Sequence, residues 1–244
     1  LAADNGKQVV FVDGSPTAPV VDLSTFEKSL MSGDGWYGAD FAFFLNGRII
    51  FNKPNTQQFY WTGLYNLTLD ALDFASAEGS PDGLVAINVD HREAWLFGTN
   101  SVEVWYDAGD ANFPLARIQG AYNEIGCAAP YSVAKLDNSL FWLGADDRGQ
   151  GIVYKANGYT GQRVSTHAIE YAIAQYGNIS DAIAYTYQQD GHAFYVLTFP
   201  TANATWVYDV ATNAWHERAS WDEGFIRDRK STRLNSSHVK RSRM

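Results

Sequence analysis

The chain has almost no sulfur. One cysteine, Cys127, and two methionines stand among 244 residues, so no intrachain disulfide staples the fold and an oxidising compartment is not implied. No apolar run approaches the length of a membrane span. The first residues, LAADNGKQ, lack the charged and apolar regions of a secretory signal. There is no initiator methionine, so the chain is expected to start inside a longer one. Charged residues are only 18% of the chain, against 46% hydrophobic and 15% aromatic. That composition suits a globular all-β protein, with 21 Gly and seven Pro to make its turns.

The basic residues are densest at the end of the chain. DRKSTRLNSSH, Asp228 to His238, back-translates to something resembling read-through of a sequencing adapter. Residues 227–244 are therefore expected to be a non-native tail, and residues 1–226 the protein domain. The tail holds seven of 18 Lys+Arg and one of 27 Asp+Glu, which leaves 11 against 26 and turns a net of −9 into −15. The terminal basic run is then no evidence for nucleic-acid binding. A body this acidic does not grip phosphate, although it suits a passage through which DNA slides without sticking.

Four segments share one rhythm: Phe41–Gly63, Leu84–Gly109, Tyr131–Gly158 and Asp181–Trp215. Each reads as apolar strand, polar turn, aromatic strand, second turn, third strand. The first turns are Asn46-Gly47, residues 90–93 (DHRE), Asp137-Asn138 and residues 188–191 (QQDG); Asn-Gly and Asp-Gly are strong hairpin signals. Third-strand tyrosines Tyr60, Tyr106, Tyr154 and Tyr208 lie 46, 48 and 54 residues apart. In TWVYDVATNAWHER, Thr205 to Arg218, a β-branched and aromatic strand meets turn formers at Asp209–Asn213 and resumes at Trp215. A long period of about 40–50 residues with about four strands each is propeller spacing. A β-sandwich also alternates strands and turns but lacks that period.

The expected fold is all-β, a propeller-like arrangement of about four blades in an incomplete ring, with one or two short helices. One helix is expected in Ser24–Gly33, with Ser24 as cap and Glu27 completing a capping box. The other is expected in Arg163–Gly177, around Ala168, Ala172, Ile173 and Ala174. The first blade reads as incomplete, with Gln8–Gly14 as an orphan strand.

Catalytic chemistry is thinly represented. Cys127 and His167 form a conceivable nucleophile and base, but a buried core thiol is the favoured reading. His91, His167, His192 and His216 are scattered without ligand spacing. Residues 144–151 (GADDRGQG) lack the ligand alternation of a calcium loop and the lysine of a phosphate loop. Asp34, Asp146–Asp147 and Asp222–Glu223 are candidate glycosidase acids with nothing to set their separation; solvated turn residues are the plainer reading. Asn66, Asn178 and Asn203 match the glycosylation pattern by chance. Eight tryptophans, Trp36, Trp61, Trp95, Trp105, Trp142, Trp206, Trp215 and Trp221, suit stacking on sugars or bases; wedging between blades is the preferred reading. No catalytic, cofactor or metal residue is assigned, and no DNA-contacting residue is identified.

Long stretches carry a resemblance. LDFASAEGSPDGLV (Leu72–Val85), REAWLFGTNSVEVWYDAG (Arg92–Gly109), IGCAAPYSVAKLDNSLFWLG (Ile125–Gly144), STHAIEYAI (Ser165–Ile173) and Gly191–Arg218 resemble the packaged-DNA stabilisation, or tail-hub, family of short-tailed bacteriophages. The resemblance implies a propeller-bearing structural virion protein and not an enzyme. It implies a homo-oligomeric ring, of six copies in the family, below the portal and its adaptor and beside the tail needle. That ring would retain packaged double-stranded DNA and later form part of its ejection conduit. The protein would reside in the virion tail, assembled in the bacterial host cytoplasm. No cofactor is implied. The other class weighed is a carbohydrate-binding or glycoside-hydrolysing propeller, motivated by the aromatics and the acids.

Overall fold

The computed structural model describes residues 1–227, except 78, 80–81, 111–112, 147–148 and 222–224. Its strands fall into separate antiparallel sheets, each built from consecutive strands. Blade 1 is β1 (Ala2–Asp4), β2 (Gln8–Phe11), β3 (Pro19–Asp22) and β4 (Lys28–Leu30). Blade 2 is β5 (Ala42–Leu45), β6 (Arg48–Asn52), β7 (Gln58–Trp61) and β8 (Phe74–Ser76). Blade 3 is β9 (Leu84–Asp90), β10 (Glu93–Gly98), β11 (Val102–Asp107) and β12 (Leu115–Asn123).

In blade 4 the first strand is split into β13 (Gly126–Cys127) and β14 (Ala134–Leu136), both paired to β15 (Ser139–Asp146). β16 (Gly149–Asn157) and β17 (Thr160–Arg163) complete it. Blade 5 is β18 (Ile183–Gln189), β19 (His192–Phe199), β20 (Ala204–Asp209) and β21 (Ala214–Glu217). A hairpin, β22 (Ala219–Trp221) with β23 (Phe225–Arg227), begins a further sheet. First strands of successive sheets pack on one another, β1 on β5, β5 on β9 and β14 on β18. This is an incomplete propeller-like fold.

The turn chemistry explains the register. In blades 2 to 5 the first two strands are joined by two residues, and both have positive φ: Asn46 and Gly47, His91 and Arg92, Asp137 and Asn138, Asp190 and Gly191. That is the type I′ pattern, whose twist matches that of the strands. Counting from these turns, the fourth residue of each second strand faces Tyr60, Glu103, Tyr154 and Tyr208 across the next ladder. The four repeat tyrosines do lie in third strands, but Tyr106 is three residues out of phase and 42% exposed. In blade 3 its expected place belongs to Glu103.

The core lies between sheets. Phe59 and Trp61 of blade 2 and Trp95, Phe97 and Trp105 of blade 3 share one cluster with Trp142 and Tyr154 of blade 4. Leu143 and Val153 of blade 4 meet Tyr195, Leu197, Phe199 and Tyr208 of blade 5 in another. Blades 1 and 2 share a third, Val10 and Val20 against Ile49, Phe51 and Tyr60. Each such side chain contributes about 1.5–3 kcal/mol on burial.

Two expectations change. Gln8–Gly14 is no orphan: Gln8–Phe11 is the second strand of a complete blade, and the Asn5 side chain accepts hydrogen bonds from the backbone of Lys7 and Gln8 to shape the turn before it. Residues 24–33 are not helical. Asp22 Oδ1 captures the backbone N–H of Ser24 at 2.8 Å and of Thr25 at 3.1 Å, Phe26 adopts φ 58°, and the chain turns back into β4. A local Asx turn wins over the capping box there. The second helix forms, as α1 (His167–Ala174), with Ile169 and Ile173 buried against blade 4.

Candidate functional site

Among the described residues, the candidate catalytic groups are not brought together. Cys127 is buried, its Sγ donates to the Ala129 carbonyl at 3.1 Å, and burial pushes its thiol up to about 11. His167 lies on the solvent side of α1, with its side chain 99% exposed. The core-thiol reading holds. No group of three His, Cys, Asp or Glu is placed to hold a metal ion among the described residues. Asp34 is an exposed loop residue. Asp147, Asp222 and Glu223 lie outside the described residues.

Asn66 and Asn178 spend their side-chain oxygens on the backbone of Thr68 and Ser180 two residues on. The N-x-S/T pattern at these two positions is Asx-turn chemistry. The tryptophans are wedges: Trp61, Trp95, Trp105 and Trp142 are buried between blades. Trp36 packs edge-on against Phe51 at 5.3 Å. Trp206 and Trp215 are half-buried and anchored through their indole N–H groups to Tyr176 and to the Val164 carbonyl.

Three concavities stand out among the described residues. The first, about 370 Å³, lies where the first strands converge and is apolar, lined by Leu1, Phe41, Phe43, Ile87, Tyr131, Val133 and Ile183. It is far too small for a duplex, whose major groove alone is about 12 Å wide. The second, about 260 Å³, sits at the junction of blades 3 and 4. There the inner turn of blade 4 reaches His91, whose Nε2 is 2.9 Å from Asn138 Oδ1. The outer-turn residue Tyr159 donates to Glu93 at 2.7 Å, and its ring lies 6.2 Å from that of Trp95. Asp90, buried beneath, pairs with His91 and Lys135.

The third, the largest of these three at about 650 Å³, is a groove on the far side of blade 5, lined by Tyr187, His192, Phe194, Asp209, His216 and Arg218 among others. Its floor carries stacked rings, Tyr187 on Phe194 at 4.8 Å and Phe194 on His192 at 5.8 Å, and the row continues beyond the groove with Tyr185 on Tyr187 at 6.2 Å. Arg218 donates to the Tyr187 hydroxyl at 2.7 Å. His192 Nδ1 is 2.7 Å from Asp209 Oδ2. Thr212 and the Ala211 N–H also donate to Asp209. Burial works to raise the Asp209 carboxyl, but these hydrogen bonds and the His192 charge outweigh it and hold the group below the usual carboxylate range.

One buried charge was not singled out in the sequence. Glu103 is 1% exposed; its Oε2 accepts the Trp105 indole at 3.0 Å, and Arg117 Nε stands 3.8 Å away. The signal was present in VEVWYD, where Glu103 shares the strand phase of Trp105.

Known structures share the fold. The crystal structure of the Saccharomyces cerevisiae Sqt1 matches with TM-score 0.59 at 12% identity, over 92% of this chain and 63% of that one. A mitotic checkpoint complex chain matches with TM-score 0.55 at 12% identity, over 88% and 63%. The dihydro-heme d1 dehydrogenase NirN in complex with DHE matches with TM-score 0.56 at 12% identity, over 86% and 44%. The chain thus spans less than two thirds of these proteins, and at such identities the likeness is one of fold alone. No curated protein sequence matches it. A family model does, over residues 25–224, covering blades 2 to 5 and the end of blade 1. The chain belongs to the phage-stabilisation family described as bacteriophage P22 Gp10, beta-propeller.

Proposed function

We propose that this protein is a structural component of the virion tail. Copies form a ring, of six subunits by the family resemblance, beneath the portal and its adaptor and in contact with the tail needle. The ring retains packaged DNA and later serves as part of the ejection conduit. It assembles in the host cytoplasm and carries out no catalysis. The observation that carries this reading is the family match across residues 25–224.

The physical features support it. The concavity where the first strands converge is apolar and about 370 Å³; in this reading DNA travels between copies and not through a subunit. With residues 227–244 read as non-native, the body's net of −15 repels phosphate, which suits a wall that must not adsorb a moving duplex. Trp61, Trp95, Trp105 and Trp142 are taken up by the core and Trp36, Trp206 and Trp215 pack against it, which weakens the motive for a sugar-binding reading. The test mixes the full-length gene product with the matching portal–adaptor assembly and images it by electron microscopy. A closed ring under the portal is expected; particles that never attach would overturn the reading.

A further inference from the structure

Asparagine followed by glycine is the pair most open to attack by its own backbone, because glycine carries no Cβ to shield the nitrogen next to the asparagine side chain. The chain has three such pairs, Asn5-Gly6, Asn46-Gly47 and Asn157-Gly158, and the fold treats them differently. Asn5 is 4% exposed, its Oδ1 accepts the Lys7 and Gln8 amides at 3.0 and 2.8 Å, and the Gly6 N–H donates to Asp4 Oδ1 at 3.1 Å. Asn46 is half-buried. The loop after β7 covers its turn: the Tyr65 amide donates to the Gly47 carbonyl at 2.6 Å, and a Cβ on Gly47 would stand 2.9 Å from Leu64 Cδ1. Asn157 is exposed, and its side chain makes no hydrogen bond among the described residues. The Gly158 amide is likewise unengaged there; Gly158 takes φ 58°, and a Cβ on it would meet no atom beyond its chain neighbours within 4 Å.

We propose that Asn157 is a modification site, where the asparagine converts spontaneously to isoaspartate at the outer turn of blade 4 and loosens the junction with blade 3. The Gly158 nitrogen gives its proton to hydroxide and bonds to Asn157 Cγ. The Cγ–Nδ2 bond breaks, and ammonia leaves with a proton taken from water, closing a cyclic succinimide. Water then adds to the ring. Addition at the main-chain carbonyl carbon breaks its bond to the Gly158 nitrogen and leaves the chain running through Cγ, with a free α-carboxylate; addition at Cγ leaves ordinary aspartate. The sum is amide plus water to carboxylate plus ammonium, with no oxidant or cofactor. The turn that changes is the one tying blade 4 to blade 3. Tyr159 donates to Glu93 at 2.7 Å, Asn123 donates to the Tyr159 carbonyl, and the Gly161 amide donates to Asn123 at 3.2 Å. The Tyr159 ring lies beside Trp95 at the cavity between the two blades. Isoaspartate adds a methylene to the two-residue turn between the paired Asn157 and Thr160. It also adds a negative charge to a rim that already holds Asp90 and Glu93. Tyr159 is displaced from Glu93, and the junction opens.

Peptide mapping by mass spectrometry of the full 244-residue chain, held in mildly alkaline buffer and sampled over weeks, tests this. Enzymatic methyl transfer to the α-carboxylate identifies isoaspartate. The native protein reacts at Asn157 at least about tenfold faster than at Asn5 or Asn46, which react only after local opening. In guanidinium the three rates converge, since all three pairs share the same glycine. Asn157→Gln, whose longer side chain closes the ring poorly, stays unmodified at that position and is folded by circular dichroism. Aged wild type melts about 2–4 °C below fresh protein, the size that one lost hydrogen bond produces at this length, and aged Asn157→Gln melts as it did when fresh. Native protein in which Asn157 reacts no faster than Asn46 overturns the proposal. So does a preference for Asn157 that persists in guanidinium, which would owe nothing to the fold. A modified wild type that melts as before, or an equal loss in both aged proteins, overturns the loosening of the junction.

Discussion

Glu103 in blade 3 occupies the register position that Tyr208 holds in blade 5: Glu103 faces Leu96, and Tyr208 faces Tyr195, each at the fourth residue past its type I′ turn. A carboxylate thus stands where blades 2, 4 and 5 place a phenol ring. It persists because Trp105 and the Gly79 backbone N–H donate to it and Arg117 lies nearby. Truncation leaves the indole unpaired in the core and a guanidinium over the cavity. Glu103→Ala is expected to cost about 2–3 kcal/mol, and Glu103→Gln, which keeps the shape and an acceptor, about half that. Urea unfolding midpoints at constant m-value measure both; a loss under 0.5 kcal/mol for the alanine would mean the site is hydrated and indifferent.

Asp209 links folding to acid. Its carboxyl is held below the ordinary carboxylate range in the folded protein, so the unfolded state binds the proton more readily. The stabilisation is full above that ordinary range and is lost as pH falls through the lowered value. Asp209→Asn is expected to flatten the acid limb of the stability profile below about pH 4 while lowering stability at neutral pH. Thermal unfolding of both proteins across that range decides it; parallel acid limbs would show that Asp209 is not the group responsible.

Cys127 makes the opposite prediction on the alkaline side. Burial pushes its thiol from 9.0 to about 11, so the folded state keeps a proton that the unfolded state releases. Its contribution is whole below pH 9 and disappears as pH rises toward 11. The native thiol should also be inert to an aromatic disulfide reagent at pH 8 and react in a single phase on unfolding in guanidinium. Rapid native labelling would place it outside the core.

How much of this was readable in the chain depended on whether the signal was local. Asn46-Gly47 and Asp190-Gly191 announced their hairpins because the turn residues themselves prefer positive φ. The period of blades 2 to 5 followed from them. Blade 1 was hidden because β1 and β4 are three-residue strands without an aromatic ring, too short for an alternation to register. The helix expected at Ser24 failed because Asp22, outside the window considered, captured the backbone amides. The groove on blade 5 was unreadable for a different reason. Tyr187, Phe194 and Arg218 meet through a sheet register and a chain reversal, and no spacing in sequence encodes that meeting.

His91-Arg92 is where the turn rule is obeyed against residue preference. Both residues take positive φ, 50° and 64°, a region that costs a non-glycine side chain about 1 kcal/mol or more. His91 has reasons to stay, since it bonds Asp90 on one side and Asn138 of the next blade on the other. Arg92 is exposed and makes no ion pair or side-chain hydrogen bond among the described residues. Arg92→Gly should therefore stabilise the protein by about 0.5–1 kcal/mol, while the reverse change at the matching turn, Gly47→Arg, should destabilise it by more. At Gly47 φ is 90°, and a Cβ would stand 2.9 Å from Leu64 Cδ1 and 3.0 Å from Tyr65 Cε2, so strain and collision act together. Melting temperatures of the two variants, moving in opposite directions, would tie the stability of the blades to the handedness of their inner turns. If Arg92→Gly melts lower than wild type, the arginine holds a contact across the rim that outweighs its backbone strain.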